Sequence, residues 1–228
     1  TRVFSSAASD VYKRQILSLL ISLMFPINVF ADKSDDTLVA AFSRELTQLD
    51  YHYGTKTEFL ILGDMIDSGL FYVNKEDLSY VPDIASDFKI VDDTTIDINL
   101  RKNAKFHDGS EVTADDVVYT YNFIVKNEKN RRSKKIKGWL ESIEKTGKHS
   151  IRFKSKYPYA NLFNDLYRIK IRKNGIMGTE GNWNDSAQLN ELNGTGPYKV
   201  VSFDPGVEVV LVLSLIHISE PTRHQPIA

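Results

Sequence analysis

The sequence predicts an α/β fold, and three stretches carry that expectation. Thr95 to Leu100, TIDINL, alternates so that Ile96, Ile98 and Leu100 share one side, the period of a half-buried strand. From Ala114 the chain changes period: Val117, Val118, Tyr121, Ile124 and Val125 fall at i, i+1, i+4, i+7 and i+8, one apolar face of a helix. Near the end, Tyr198 to Phe203 and Val207 to Val212 flank Asp204-Pro205-Gly206, a hairpin signal.

Composition narrows the function classes. The chain has 228 residues, 42% hydrophobic and 26% charged, enough for one good core or two small ones. A net charge of -1 gives no general affinity for nucleic acid or anionic lipid. The absence of cysteine removes disulfides, thiolate metal sites, cysteine nucleophiles and the lipid-modified cysteine of an anchored lipoprotein.

Residues 1–15 contain SSAASDVYKRQ, which resembles read-through of a sequencing adapter, and LSLIHISEPTRHQPIA over 213–228 resembles its counterpart; neither is expected to carry function. Residues 16–31 follow Lys13 and Arg14 with an apolar run and the subsites Val29, Phe30 and Ala31, the pattern of a secretory signal peptide with mature protein from Asp32. Pro26, Asn28 and shortness against the roughly 20 residues of a span argue against a membrane helix.

In the expected mature chain, Thr37 to Phe42 is a buried strand and Ser43 to Tyr53 a polar loop. Thr57 to Leu70 places Phe59, Leu62, Ile66 and Leu70 at helical spacing, a helix for that strand to receive. Phe88 to Val91 and Thr95 to Leu100 form a hairpin across the Asp92-Asp93 pair. Asp108 and Gly109 turn the chain, and Thr113 with Asp116 makes an acidic capping box that starts a helix at Ala114. Asn127 to Lys137, with Lys129, Arg131, Arg132, Lys134, Lys135 and Lys137, is expected to be a solvated loop. Ser150 to Lys154 alternates as a strand, and Pro158 opens a helix over Tyr159 to Tyr167 with Leu162, Phe163 and Leu166 inward. Asn182 to Asp185 is turn-like, and Asn193 to Val200, NGTGPYKV, uses two glycines and a proline to turn into a strand.

Catalytic patterns are missing. There is no G-x-S-x-G, H-E-x-x-H, P-loop or paired C-x-x-C. Ser86 to Lys89 fits S-x-x-K but sits in an expected strand rather than at a helix start. The pairs Asp35-Asp36, Asp92-Asp93 and Asp115-Asp116 are explained by turns and a helix start. His52, His107 and His149 lie in three separate elements, so a metal site is weakly supported.

The stretch LRKNAKFHDGSEVTADDVVYTYN resembles the signature of the peptide/nickel class of periplasmic solute-binding proteins, family 5 of the bacterial extracellular solute-binding proteins. Leu100, Arg101, Phe106, His107, Asp108, Gly109, Thr113, Ala114, Asp116, Val117 and Tyr119 match it. NGTGPYKV is a second match, GLFYVNKEDLSYVPDIA a third, and Glu45, Leu46, Leu49 and Asp50 fit the family's loop after its first strand, with Tyr51 in place of the usual proline. The resemblance implies a periplasmic-binding-protein-like lobe over 32–212 with a mixed sheet and an inserted small α/β subdomain at about 70–170, truncated before a second lobe. Asp108, Gly109, Thr113 and Asp116 would be scaffold.

The function the resemblance implies is periplasmic capture of peptide-like solutes for an ABC permease in the inner membrane, by a monomer that is neither lipid-anchored, an enzyme, nor in need of a cofactor. Its ligand contacts are expected at Arg44, Glu45 and Leu46, with Tyr119 or Tyr121 nearby. Glu45 would accept a bond from a peptide's ammonium or amide, while the backbone of Arg44 and Leu46 pairs with an extended ligand. Two alternatives stand beside it: the same fold holding a nickel chelate or an oligosaccharide, with His52 the residue to watch, or a secreted hydrolase lacking its catalytic part.

Overall fold

Alternation and turn chemistry build the largest sheet of the computed structural model, which describes residues 37–38, 49–54, 57–175 and 192–217. Strand β4 (Ala85–Ile90) pairs antiparallel with β5 (Thr95–Leu100), and the Asp92 carboxylate closes the turn by accepting from the Thr94 N–H at 2.8 Å and the Thr94 hydroxyl at 2.9 Å. Strands β6 (Leu140–Gly147) and β7 (Ser150–Ser155) complete the order β4-β5-β7-β6. Ile96, Ile98, Leu100, Ile151 and Phe153 point to its buried face as their spacing requires.

Helix α2 (Ala114–Lys126) covers that face. Val117, Tyr121 and Ile124 are fully buried, Val118 and Val125 partly so, each full burial contributing about 1.5–3 kcal/mol. The capping box forms: the Asp116 Oδ2 accepts from both the Thr113 N–H and the Thr113 hydroxyl at 2.7 Å. Asp116 also reaches beyond the cap, because its Oδ1 accepts the Asn174 N–H at 2.8 Å.

A second core forms from outer parts of the chain. Helix α1 (Thr57–Ile66) sends Phe59, Leu62 and Ile66 against Val200, Phe203 and Leu211 of the hairpin β8 (Tyr198–Asp204) and β9 (Glu208–Leu213). Gly206, with φ at 79°, makes the hairpin's turn. The short strand β1 (Thr37–Leu38) joins that sheet alongside β9, and the remainder of the expected strand to Phe42 lies outside the described residues, as does the turn at 182–185. The first core contains residues from Leu70 to Ile171, the second Leu49 to Ile66 with Leu192 to Leu211.

Strands β2 (Phe71–Val73) and β3 (Tyr80–Pro82) pair with each other, and every pairing among the described residues is antiparallel, so no parallel pairing of the expected mixed sheet falls among them. Two helix expectations change. The basic run is not one solvated loop: helix α3 (Ser133–Trp139) occupies its second half and buries Ile136 and Trp139. The helix after Pro158 starts later than expected, as α4 (Leu162–Arg168), and its Asp165 accepts from the Trp139 Nε1–H and the Tyr159 hydroxyl, both at 2.9 Å, and from Lys135.

Candidate functional site

The two strongest sequence motifs meet in space although 89 residues separate His107 from Gly196. The His107 N–H donates to the Gly194 carbonyl at 2.8 Å, its Nε2 lies 2.9 Å from the Gly196 carbonyl, and the Asp108 N–H donates to the Asn193 side chain at 3.0 Å. Beneath them, the Ser68 N–H donates to the Thr195 hydroxyl at 2.8 Å. A Cβ on Gly194 would lie 2.1 Å from the Ile66 carbonyl oxygen, so the glycine is required by close approach. Asp108 is held below the usual carboxylate range: burial opposes its charge, but Lys173 at 2.7 Å and Ser110 outweigh that effect. This joint is scaffold that fixes where the neighbouring segments run.

Next to the joint lies a buried charge cluster that sequence reading missed. Ile169, Lys170, Ile171 and Arg172 are all buried, the two cations as fully as the two isoleucines. Arg172 Nη1 meets Asp67 Oδ1 at 2.9 Å, and its Nη2 is 4.0 Å from Asp50, the outer limit of an ion pair. The Arg172 N–H donates to the Thr120 hydroxyl at 3.1 Å, which in turn donates to the Asp116 carbonyl at 2.8 Å. Lys170 pairs with Asp64 at 2.6 Å beside the Tyr167 ring. Burial pushes Asp67 up to about 6 against the pull of Arg172 and Lys170. The available signal was Lys170 and Arg172 alternating with two isoleucines, which also describes a strand with one wet face.

His52 belongs to this cluster. Its backbone N–H donates to Asp50 at 2.8 Å, its ring is fully buried, and neither ring nitrogen has a hydrogen-bond partner among the described residues. Burial, then Arg172, Arg132 and Lys170, lower its pKa well below the ordinary histidine value, so the imidazole is neutral. A divalent cation would meet the same repulsion there, and no cluster of metal-ligating side chains occurs among the described residues. Tyr51 stands where the resemblance expects proline; the Arg132 guanidinium lies 4.3 Å above its ring, and a Cβ on Gly63 would be 2.3 Å from that ring.

Of the expected ligand contacts, Arg44, Glu45 and Leu46 lie outside the described residues. Tyr119 is half-buried and lines a depression of ≈ 500 Å³ with Asn122, Phe123 and Lys126. Tyr121 is corrected: it is fully buried, edge-on to Phe153 at 4.9 Å, because its i+4 spacing from Val117 turns it into the core. Two helical residues two positions apart point to opposite sides, so Tyr119 and Tyr121 cannot flank one ligand.

The family model described as bacterial extracellular solute-binding proteins, family 5 Middle, matches residues 79–213. The chain belongs to this family. Among curated relatives, the oligopeptide-binding protein AppA of Bacillus subtilis (strain 168) is 36% identical over 124 residues, which are 50% of this chain and 22% of that protein. The chain thus spans about a fifth of that relative's length. The solved structure of this AppA in complex with a nonapeptide matches with a TM-score of 0.64 at 32% identity, over 75% of this chain and 34% of that one. NikZ from Campylobacter jejuni in complex with Ni(L-His) gives 0.69 at 23% identity, over 82% and 37%. A mannohexaose-bound periplasmic oligopeptide-binding protein of Thermotoga maritima gives 0.65 at 22%, over 79% and 34%. These last two establish the fold, a periplasmic-binding-protein lobe of α/β class.

Proposed function

We propose that this family 5 chain supplies one wall of a solute site that captures peptide-like ligands in the periplasm and hands them to an ABC permease in the inner membrane. One observation carries the choice of peptide: a relative similar above 30% identity in both sequence and structure is an oligopeptide-binding protein, solved with a nonapeptide bound. The neighbours named for a nickel complex and for mannohexaose are less similar, at 23% and 22%. The full burial of His52 among Arg172, Arg132 and Lys170 also speaks against nickel at that residue.

We assign this chain's share of the site to Arg44, Glu45 and Leu46, ahead of the buried Leu49 and Asp50, with Glu45 accepting from the peptide's ammonium or amide. Binding of this kind needs no catalytic group, and the protein acts as a receptor, monomeric and without a cofactor. Calorimetry with a tri- to pentapeptide mixture, Ni(L-His) and mannohexaose on the complete gene product tests the reading. Peptides are expected to bind most tightly, with a measurable loss in Glu45→Ala; preference for either other ligand overturns it. The present chain, with one wall, is expected to bind peptides weakly or not at all.

A further inference from the structure

The chain's charge is least balanced just after α2. From Lys126 to Lys137 lysines and arginines dominate, Glu128 is the one acid, and the whole chain carries -1. The structure turns three of these cations to internal work: Arg132 lies over Tyr51, Lys135 binds Asp165, and Lys137 pairs with Glu128 at 3.1 Å. Lys126, Arg131 and Lys134 stay exposed, with no acidic partner among the described residues. Lys126 also borders the depression where Tyr119 and Phe123 meet at 5.9 Å between ring centres.

We propose that this face docks on an anionic phospholipid surface. The exposed cations are spread over the end of α2 (Lys126), the turn after it (Arg131) and the first turn of α3 (Lys134), so they respond to charge density and not to one ligand's shape. Tyr119 and Phe123, half-buried beside them, supply the aromatic contact that suits a membrane interface. An acidic peptide would call for several guanidinium forks converging on its carboxylates, whereas Arg132 is turned inward onto Tyr51 and Arg131 stands exposed among lysines as a single guanidinium. With the remainder of the chain net acidic, an anionic bilayer attracts this face and repels others, which orients the molecule. The inference is independent of the solute reading.

Co-sedimentation with vesicles of phosphatidylcholine, alone or mixed with phosphatidylglycerol, tests it. The chain is expected to sediment with the mixed vesicles only, and to be released as salt rises. Replacing Lys126, Arg131 and Lys134 by Gln removes charge at exposed positions, and a thermal melt checks that folding is kept. At about fivefold per cation, the triple variant is expected to bind about a hundredfold more weakly. Equal binding to both vesicle types, or undiminished binding by a folded triple variant, overturns the proposal. So does binding to polyglutamate without binding to the mixed vesicles, which would assign the face to an acidic protein.

Discussion

Gly196 and Ile66 touch backbone to backbone: the Gly196 N–H donates to the Ile66 carbonyl at 2.8 Å, and a Cβ on Gly196 would lie 2.5 Å from the Ile66 carbonyl carbon. The end of α1 therefore packs against the NGTGP turn with no room for a methyl group. Gly196→Ala is expected to cost about 3 kcal/mol, because the obstacle is backbone and cannot swing away. Urea denaturation measures it, and a loss below about 1 kcal/mol would show that the turn moves freely.

Thr113 and Asp116 should separate by magnitude. Thr113→Ala removes the capping hydroxyl and is expected to cost about 1 kcal/mol while leaving the proposed peptide binding unchanged. Asp116→Ala strips partners from the N–H groups of both Thr113 and Asn174, so about 2–3 kcal/mol is expected. Equal losses in chemical denaturation would mean that the Asn174 bond contributes nothing.

How legible each element was follows from its chemistry. Strand β5, helix α2 and the β8–β9 hairpin were readable because period and turn residues agree, from Ile96-Ile98-Leu100 to Asp204-Pro205-Gly206. Strand β6 was missed: only Leu140 and Ile143 are buried along it, and its pairing shifts between Leu140 and Ser142 and again between Lys145 and Gly147. Helix α3 hid under its lysines, with Ile136 and Trp139 as the apolar anchors. The cluster around Arg172 was unreadable for a deeper reason. A charged residue is buried only when its partners arrive from elsewhere, here Asp67, Asp50 and Thr120, and a linear pattern does not show such meetings.

Asp67 gives a pH signature. Its carboxyl ionises near 3.8 in the unfolded chain and at about 6 in the fold, so over that window the fold holds a proton that the unfolded chain has lost. Stability from this group is present below about 4 and falls as pH rises to about 6, by roughly 3 kcal/mol. Carboxylates with depressed pKa, such as Asp97 and Glu111, act with the opposite sign but at lower pH. Wild type is therefore expected to lose stability relative to Asp67→Asn between about pH 4 and pH 6.5. A difference that stays flat across urea melts in that range would refute the assignment.

Arg172 and Asp67 form the pair whose removal should be least additive. Arg172→Leu leaves Asp67 and Asp50 buried with their nearest cation gone, and about 3–5 kcal/mol of destabilisation is expected. The same change removes the main influence that lowers Asp67, so its midpoint, followed by carboxyl-carbon NMR, should rise above about 6. Asp67→Leu alone leaves the guanidinium to Asp50 at 4.0 Å, a weaker contact, and also costs stability. With both replaced by leucine, neither charge is stranded and apolar volume fills part of the site, so the double variant is expected to be more stable than the two single losses predict by at least about 1 kcal/mol. Simple additivity in that cycle would mean that Arg172 is held by the bond from its backbone N–H to the Thr120 hydroxyl and that the ion pair adds nothing.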